Sequence, residues 1–248
     1  MTDWDEFESA AYVSQNYGGG ILSEDMQIMR FVLAELRDLA FAPGSLRAAA
    51  DVGAGPNLYP GLLLAPYVAT GGVLELIDRS ASNLRYLRDV IGGGDGGRDA
   101  ADAAVWAGFE DHLRALGHRT SVRQLRDVAA VRPGSIFELP AGRYDAVMSF
   151  FVAESITDDP AEFATALDSL LGSLKPGGLF ITAHMIGSTG YSMKPGVCYP
   201  ACELSMAEVE ESYRPYGEFR SILTSPGPGE AVRAGYQGMA ALVGRRSA

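Results

Sequence analysis

Between Ala50 and Asn83 the sequence sets two glycines, Gly53 and Gly55, against a carboxylate, Asp78. A short apolar run from Ala50 to Val52 precedes Gly53-Ala54-Gly55, and a second from Gly72 to Ile77 delivers Asp78. A strand, a glycine turn, a helix and a second strand in that order form half of a nucleotide-binding α/β unit. The turn lets a ligand approach the backbone, and an acidic residue about 20 positions later accepts from ribose hydroxyls. A pyrophosphate would also require a third glycine, where Leu58 stands, for close helix–strand packing. The stretch therefore suits a ligand that carries adenosine without a pyrophosphate, and S-adenosylmethionine (SAM) is the common one.

The elements that must hold these residues can be read outward from the turn. Leu58 to Tyr67 reads as a helix. Ser80 to Ile91 is another, with Leu84, Leu87, Val90 and Ile91 on one face and Ser80 as its cap. Thr120 to Leu125 is expected as a short third strand, placing Asp127 and Val128 just beyond it. Tyr144 to Phe151 is apolar enough for a strand buried on both faces of a parallel sheet. Its carboxyl end, Ser149, Phe150, Phe151, Val152 and Glu154, should edge the pocket, with Phe150 and Val152 touching the ligand. Asp159-Pro160-Ala161-Glu162 is a helix start, so Asp158 and Asp159 receive no chemistry. The helix from Ala161 to Leu174 stops at Lys175-Pro176-Gly177-Gly178, before a strand from Leu179 to Ala183. Ser205 with Glu208 starts a helix over Met206 to Tyr213. Gly217 to Thr224 and Tyr236 to Val243 read as final strands around the turn-rich Ser225 to Gly229.

At the N-terminus, apolar residues recur at helical spacing from Phe7 to Ala40, with Ser23 starting the second of two helices. Tyr12 and Tyr17 precede Gly18-Gly19-Gly20, which breaks the helix and permits a hinge. Ala100 to Leu116 is helical, with Trp106, Phe109 and Leu113 as core. Gly92 to Gly97 reads as a flexible insertion. One domain over residues 1–248 is expected, with residues 1–44 as a helical lid and 45–248 as the core.

Composition narrows the partners. The chain of 248 residues is 47% hydrophobic and carries a formal net charge of −11, a field that repels nucleic acid and anionic lipid. No apolar run reaches the roughly 18 residues of a membrane span, and the acidic Met1 to Glu6 is unlike a signal peptide. These features point to a cytoplasmic protein. Cys198 and Cys202 read as ordinary thiols, and no metal site is expected.

Asp51-Val52-Gly53-Ala54-Gly55-Pro56-Asn57-Leu58-Tyr59 and Asp78-Arg79-Ser80-Ala81-Ser82-Asn83 together resemble the small-molecule methyltransferase family of nicotinamide, phenylethanolamine and thioether/indolethylamine N-methyltransferases. Leu174-Lys175-Pro176-Gly177-Gly178 resembles the matching junction of SAM methyltransferases generally. The resemblance implies a Rossmann-like class I α/β fold: a seven-stranded mixed sheet in the order 3-2-1-4-5-7-6, its last strand antiparallel, with an N-terminal helical lid. It implies SAM as cofactor, S-adenosylhomocysteine as product and a small-molecule acceptor. In the residues that match, Tyr12 covers the reacting centre and Tyr17 donates to the SAM carboxylate, although both also read as packing residues. Gly53, Ala54, Gly55 and Tyr59 hold the donor, Asp78 takes its ribose, and Ser80 and Asn83 surround the adenosine. Asp127 and Val128 stand where an adenine contact is expected.

Ser188 and Tyr191 match substrate-site residues of the nicotinamide enzyme, whereas His184 replaces an aspartate of that site. Nicotinamide is accordingly not the expected acceptor. His184 or Glu154 could take an acceptor's proton, or His184 could be a histidine bonded at a strand end. Transfer to an amine or heteroaromatic nitrogen is the leading reading. Transfer to a hydroxyl is its rival, and a SAM-binding protein without turnover is the alternative outside catalysis.

Overall fold

The computed structural model describes residues 8–92, 100–194, 197–227 and 235–247, with the side chains of residues 100, 101, 192–194, 197 and 198 outside that description. The acidic start, most of the expected Gly92 to Gly97 insertion, part of the Ser225 to Gly229 turn and the Cys198 thiol lie outside it.

The apolar run before the glycine turn is β1 (Leu46–Val52), and the run ending at Asp78 is β2 (Val68–Asp78), paired to it in parallel. Between them α3 (Tyr59–Leu64) passes into a single 3-10 turn, Ala65–Tyr67. Strand β4 (Tyr144–Phe150) lies on the other side of β1, and β5 (Leu174–Ile186) lies beyond β4, both in parallel. The final strands β8 (Gly217–Leu223) and β9 (Gly238–Arg246) close the sheet, with β9 antiparallel to β5 and to β8.

One expectation fails at the third strand. Thr120 to Leu125 is not a strand: Ser121 accepts from Gln124 N–H and caps α6 (Val122–Val128), and β3 follows as Ala129–Pro133, parallel to β2. The sheet order is β3-β2-β1-β4-β5-β9-β8, the expected arrangement of seven strands. A separate hairpin, β6 (Tyr191–Lys194) and β7 (Val197–Tyr199), stands outside it and was not foreseen.

Alternate residues along each strand feed two cores. Met148, Ile181 and Leu76 meet α1 (Ser9–Tyr17), α2 (Ser23–Asp38), α3, α4 (Ala81–Gly92) and α5 (Ala100–Ala115) on one face. Val147, Phe180 and Leu242 meet α7 (Pro160–Gly172) and α8 (Met206–Tyr213) on the other. Asp159 caps α7, and a Ser205/Glu208 capping box starts α8, as their sequences predict.

Candidate active site

The carboxyl ends of β1, β2, β3 and β4 surround a cavity of about 500 Å³. Its first wall follows from backbone geometry. After Val52 the chain turns over the end of β2, and Gly53 and Ala54 N–H both donate to the Ile77 carbonyl, at 2.8 and 3.0 Å. The turn needs φ of +70° at Gly53 and +56° at Gly55, which glycine adopts without penalty. A Cβ at Gly53 would stand 2.5 Å from a Val152 methyl, so the glycine is also required by the facing wall.

Asp78 is buried at the end of β2. Its Oδ2 accepts from Gly55 N–H at 2.8 Å, and its Oδ1 from Ser80 N–H at 2.8 Å and Asn83 Nδ2 at 3.3 Å. Burial raises its pKa, and these donors oppose the rise. Oδ1 already accepts twice, whereas Oδ2 keeps a lone pair for a further donor. Asp51, on β1, is fully enclosed; burial first and the nearby Asp78 second push its carboxyl up to about 8. Its Oδ2 has no hydrogen-bond partner among the described residues. The charged residues that line the cavity are Asp78, Asp158 and Glu162 against Arg79. A ligand bringing a diol and positive charge fits this arrangement.

The second wall comes from distant segments: Gly134 to Phe137 after β3, Phe150 to Val152 and Ser155 to Asp158 after β4, Tyr191 of β6, and Pro200. Phe151 holds φ of +61°, which costs a non-glycine residue about 1–2 kcal/mol. Its N–H donates to the Ala183 carbonyl at 2.7 Å and fixes that geometry. From α1, Tyr12 closes the cavity, and Ser9 donates its hydroxyl to Asn83 Oδ1 at 2.8 Å.

Of the residues singled out in the sequence, the cavity brings together Tyr12, Gly53, Ala54, Gly55, Asp78, Ser80, Asn83, Phe150, Phe151, Val152 and Tyr191. Others stand elsewhere. Tyr17 is buried, edge-on to Phe109 at 5.1 Å. Tyr59 stacks on Phe109 at 5.3 Å and donates to Asp25 of α2, so it ties α2 to α3. Asp127 is exposed on α6 with Val128 beside it, because the third strand begins later than expected; Gly134 to Phe137 occupy the place assigned to that pair.

His184, Glu154 and Ser188 are buried and do not line the cavity. Along β5, Thr182, His184 and Ile186 alternate with Ile181, Ala183 and Met185, and the His184 ring lies between Phe163 of α7 and Tyr213 of α8. The positions expected for an acceptor-facing base, His184 and Glu154, therefore stand behind the cavity wall and not on it. Ser9, Asn57, Ser155, Asp158, Glu162 and Pro200 were missed; the helix-start reading of Asp158 concealed its place on the cavity edge.

Sheet order, the antiparallel β9 and a cavity at the carboxyl ends of the strands define a Rossmann-like class I SAM methyltransferase fold. Magnesium protoporphyrin IX methyltransferase from Synechocystis PCC 6803, solved with bound SAH, shares that fold with a TM-score of 0.52 and 16% identity, over 90% of this chain and 84% of that one. Residues 99–245 match the NNMT/PNMT/TEMT family, and the chain belongs to it. Human phenylethanolamine N-methyltransferase is 28% identical over 202 residues, 76% of this chain and 70% of that protein. The pig enzyme of the same name is 27% identical over 231 residues, 83% and 76% of the two chains.

Proposed function

We propose that this protein is a SAM-dependent methyltransferase that methylates a small molecule at nitrogen, an amine or a heteroaromatic ring nitrogen, and releases S-adenosylhomocysteine. The observation that carries the reading is Asp78, its carboxylate held by Gly55, Ser80 and Asn83 at the edge of an acid-lined cavity. SAM, when bound, supplies an electrophilic methyl group on a sulfonium. Asp78 accepts from the ribose hydroxyls, and the glycine turn admits the aminoacyl end to the backbone. The buried carboxylate of Asp78, with Asp158 and Glu162 on the wall, favours a cationic donor over its neutral product. Gly134 to Phe137 border the adenine.

Helices α1 and α2 serve as the lid, with Tyr12 over the reacting centre. A tyrosine face beside a cation contributes about 0.5–2 kcal/mol; holding acceptor, methyl and sulfur in line contributes more. A neutral amine needs no base for in-line attack, and Asp158 and Glu162 lie on the cavity wall where a shed proton can pass to water. Nitrogen is favoured over oxygen because no histidine lines the cavity to deprotonate a hydroxyl, and because the relatives above are named N-methyltransferases. No helix among the described residues is long and apolar enough to cross a membrane, and we place the enzyme in the cytoplasm.

Calorimetry with S-adenosylhomocysteine, then a panel of amines, pyridines and phenols followed by adenosylhomocysteine release and product mass spectra, tests the reading. Binding with methylated nitrogen is the expected result. Failure to bind refutes the donor assignment, binding without turnover supports a SAM-binding protein without catalysis, and methylated oxygen overturns the choice of nitrogen.

A further inference from the structure

Behind the wall formed by Phe151 to Thr157 lies a buried polar chain that meets the cavity lining only at Ser155. Glu154 is wholly enclosed, and its Oε2 meets His184 Nδ1 at 2.8 Å. Its Oε1 accepts from Met185 N–H at 3.0 Å and from the Ser155 hydroxyl at 3.2 Å. Across the imidazole, Nε2 meets the Tyr213 hydroxyl at 2.7 Å. With its proton on Nδ1, the ring donates to Glu154 and accepts from Tyr213. Burial drives the Glu154 carboxyl up, but His184 and the Met185 N–H outweigh it and hold the group below the usual glutamate range.

The same residue also binds through its backbone. The Glu154 carbonyl accepts from Cys202 N–H at 2.7 Å, and Gly187 N–H donates to the Leu204 carbonyl at 2.9 Å. Glu154 thus joins the loop after β4, the end of β5 and the stretch around Cys202. Each borders the cavity: Phe151, Val152 and Ser155 lie on the loop itself, Tyr191 follows β5, and Pro200 precedes Cys202. Burying a carboxylate with its hydrogen-bond partner gains little net stability over apolar packing of the same volume, and these two side chains do not line the cavity. Its geometric consequence is a loop fixed from behind, including the left-handed Phe151.

We propose that Glu154 and His184 are positioning residues, a buried pair that fixes the backbone of Phe151 to Thr157 and so shapes the pocket where the methyl acceptor is received. The proposal rests on the methyltransferase reading above for the identity of that pocket.

The test compares wild type with His184→Ala, His184→Gln, His184→Asn and Tyr213→Phe. It reads amide hydrogen exchange over Phe151 to Thr157, calorimetric affinity for S-adenosylhomocysteine, and KM for the amine that wild type methylates in the acceptor panel. In His184→Ala, exchange over the loop should rise about ten-fold or more while β1 and β2 stay protected. Adenosylhomocysteine affinity should stay within about three-fold, and acceptor KM should rise about ten-fold with a smaller fall in kcat. His184→Asn keeps a donor near Nδ1 and should recover most of both effects; His184→Gln, whose amide reaches toward Nε2, should not. If His184→Ala does not fold, Tyr213→Phe gives the same comparison with an exchange increase of about three-fold. Unchanged loop exchange, or equal losses in the Asn and Ala variants, overturns the proposal. Failure of wild type to bind adenosylhomocysteine refutes the enzyme reading, and the exchange comparison still decides the positioning one.

Discussion

The two walls of the cavity are built on opposite plans. The wall proposed for the donor is local: Gly53 to Asn57 and Asp78 to Asn83 are two short continuous stretches at the ends of adjoining strands, and Gly55 and Ser80 N–H hold the carboxylate directly. The facing wall gathers Gly134, Phe151, Tyr191 and Pro200 from separate stretches and is braced from behind by Glu154, His184 and Tyr213. A ligand part common to every turnover can be held by backbone groups that side-chain substitution leaves in place. A part that differs between enzymes is better bounded by side chains on segments that can change independently.

The comparison breaks first at Asp78. If the donor wall works through this carboxylate, Asp78→Ala removes a charge-assisted hydrogen bond to the ribose, about 1.5–3 kcal/mol, and lowers adenosylhomocysteine affinity by about 10- to 100-fold. Calorimetry on the folded variant checks this. An unchanged affinity would place the nucleoside elsewhere.

A second variant asks whether the walls touch. Gly53→Ala puts a Cβ 2.5 Å from Val152 Cγ2 at φ of +70°. The left-handed backbone alone costs about 1–2 kcal/mol, and adenosylhomocysteine affinity should fall about ten-fold once the clash is added. Val152→Ala in the same chain removes both methyls, leaving only a Cβ at 3.1 Å, and should recover most of the steric part but not the backbone part. Equal losses with and without Val152 would mean that the walls are independent.

Asp51 sharpens the contrast through pH. Its folded carboxyl, near 8, lies above the ordinary 3.8, so the folded state holds a proton that the unfolded chain has released. The stability this group contributes is fully present below about pH 4 and is lost as pH rises toward 8. Asp51→Asn keeps the shape without the titration and should flatten Tm against pH across that window. A slope as steep as that of wild type would assign the titration to another group.

The same contrast decides what the sequence could reveal. Gly53, Gly55, Asp78 and Ser80 were legible because their geometry follows from neighbours in the chain. Tyr12 was legible only through resemblance to the family. The third strand was missed because Ala129-Ala130-Val131 has little of the β-branched enrichment that marks a strand. Meanwhile Ser121 and Gln124, a capping pair that announced α6, lay inside the stretch read as β. His184 was misplaced for a different reason. A strand apolar on both faces, as β5 is, carries no signal of which face meets the cavity, and only the packing of α7 and α8 settles that His184 points away.

The smallest expected effect tests how far the donor wall stands by itself. Ser9 of α1 donates to Asn83 Oδ1, and Asn83 Nδ2 donates to Asp78, so a single amide links α1, the proposed lid, to the Asp78 carboxylate. Ser9→Ala removes one neutral hydrogen bond, about 1 kcal/mol, or a factor of about five in affinity. Water from the adjoining cavity can replace the lost donor, which lowers the effect further. Asp78 keeps its bonds to Gly55 and Ser80 in either case. Adenosylhomocysteine affinity should therefore fall by no more than that factor, with a small drop in Tm. A loss approaching that of Asp78→Ala would reverse the comparison, because the donor site would then depend on the lid rather than on its own backbone.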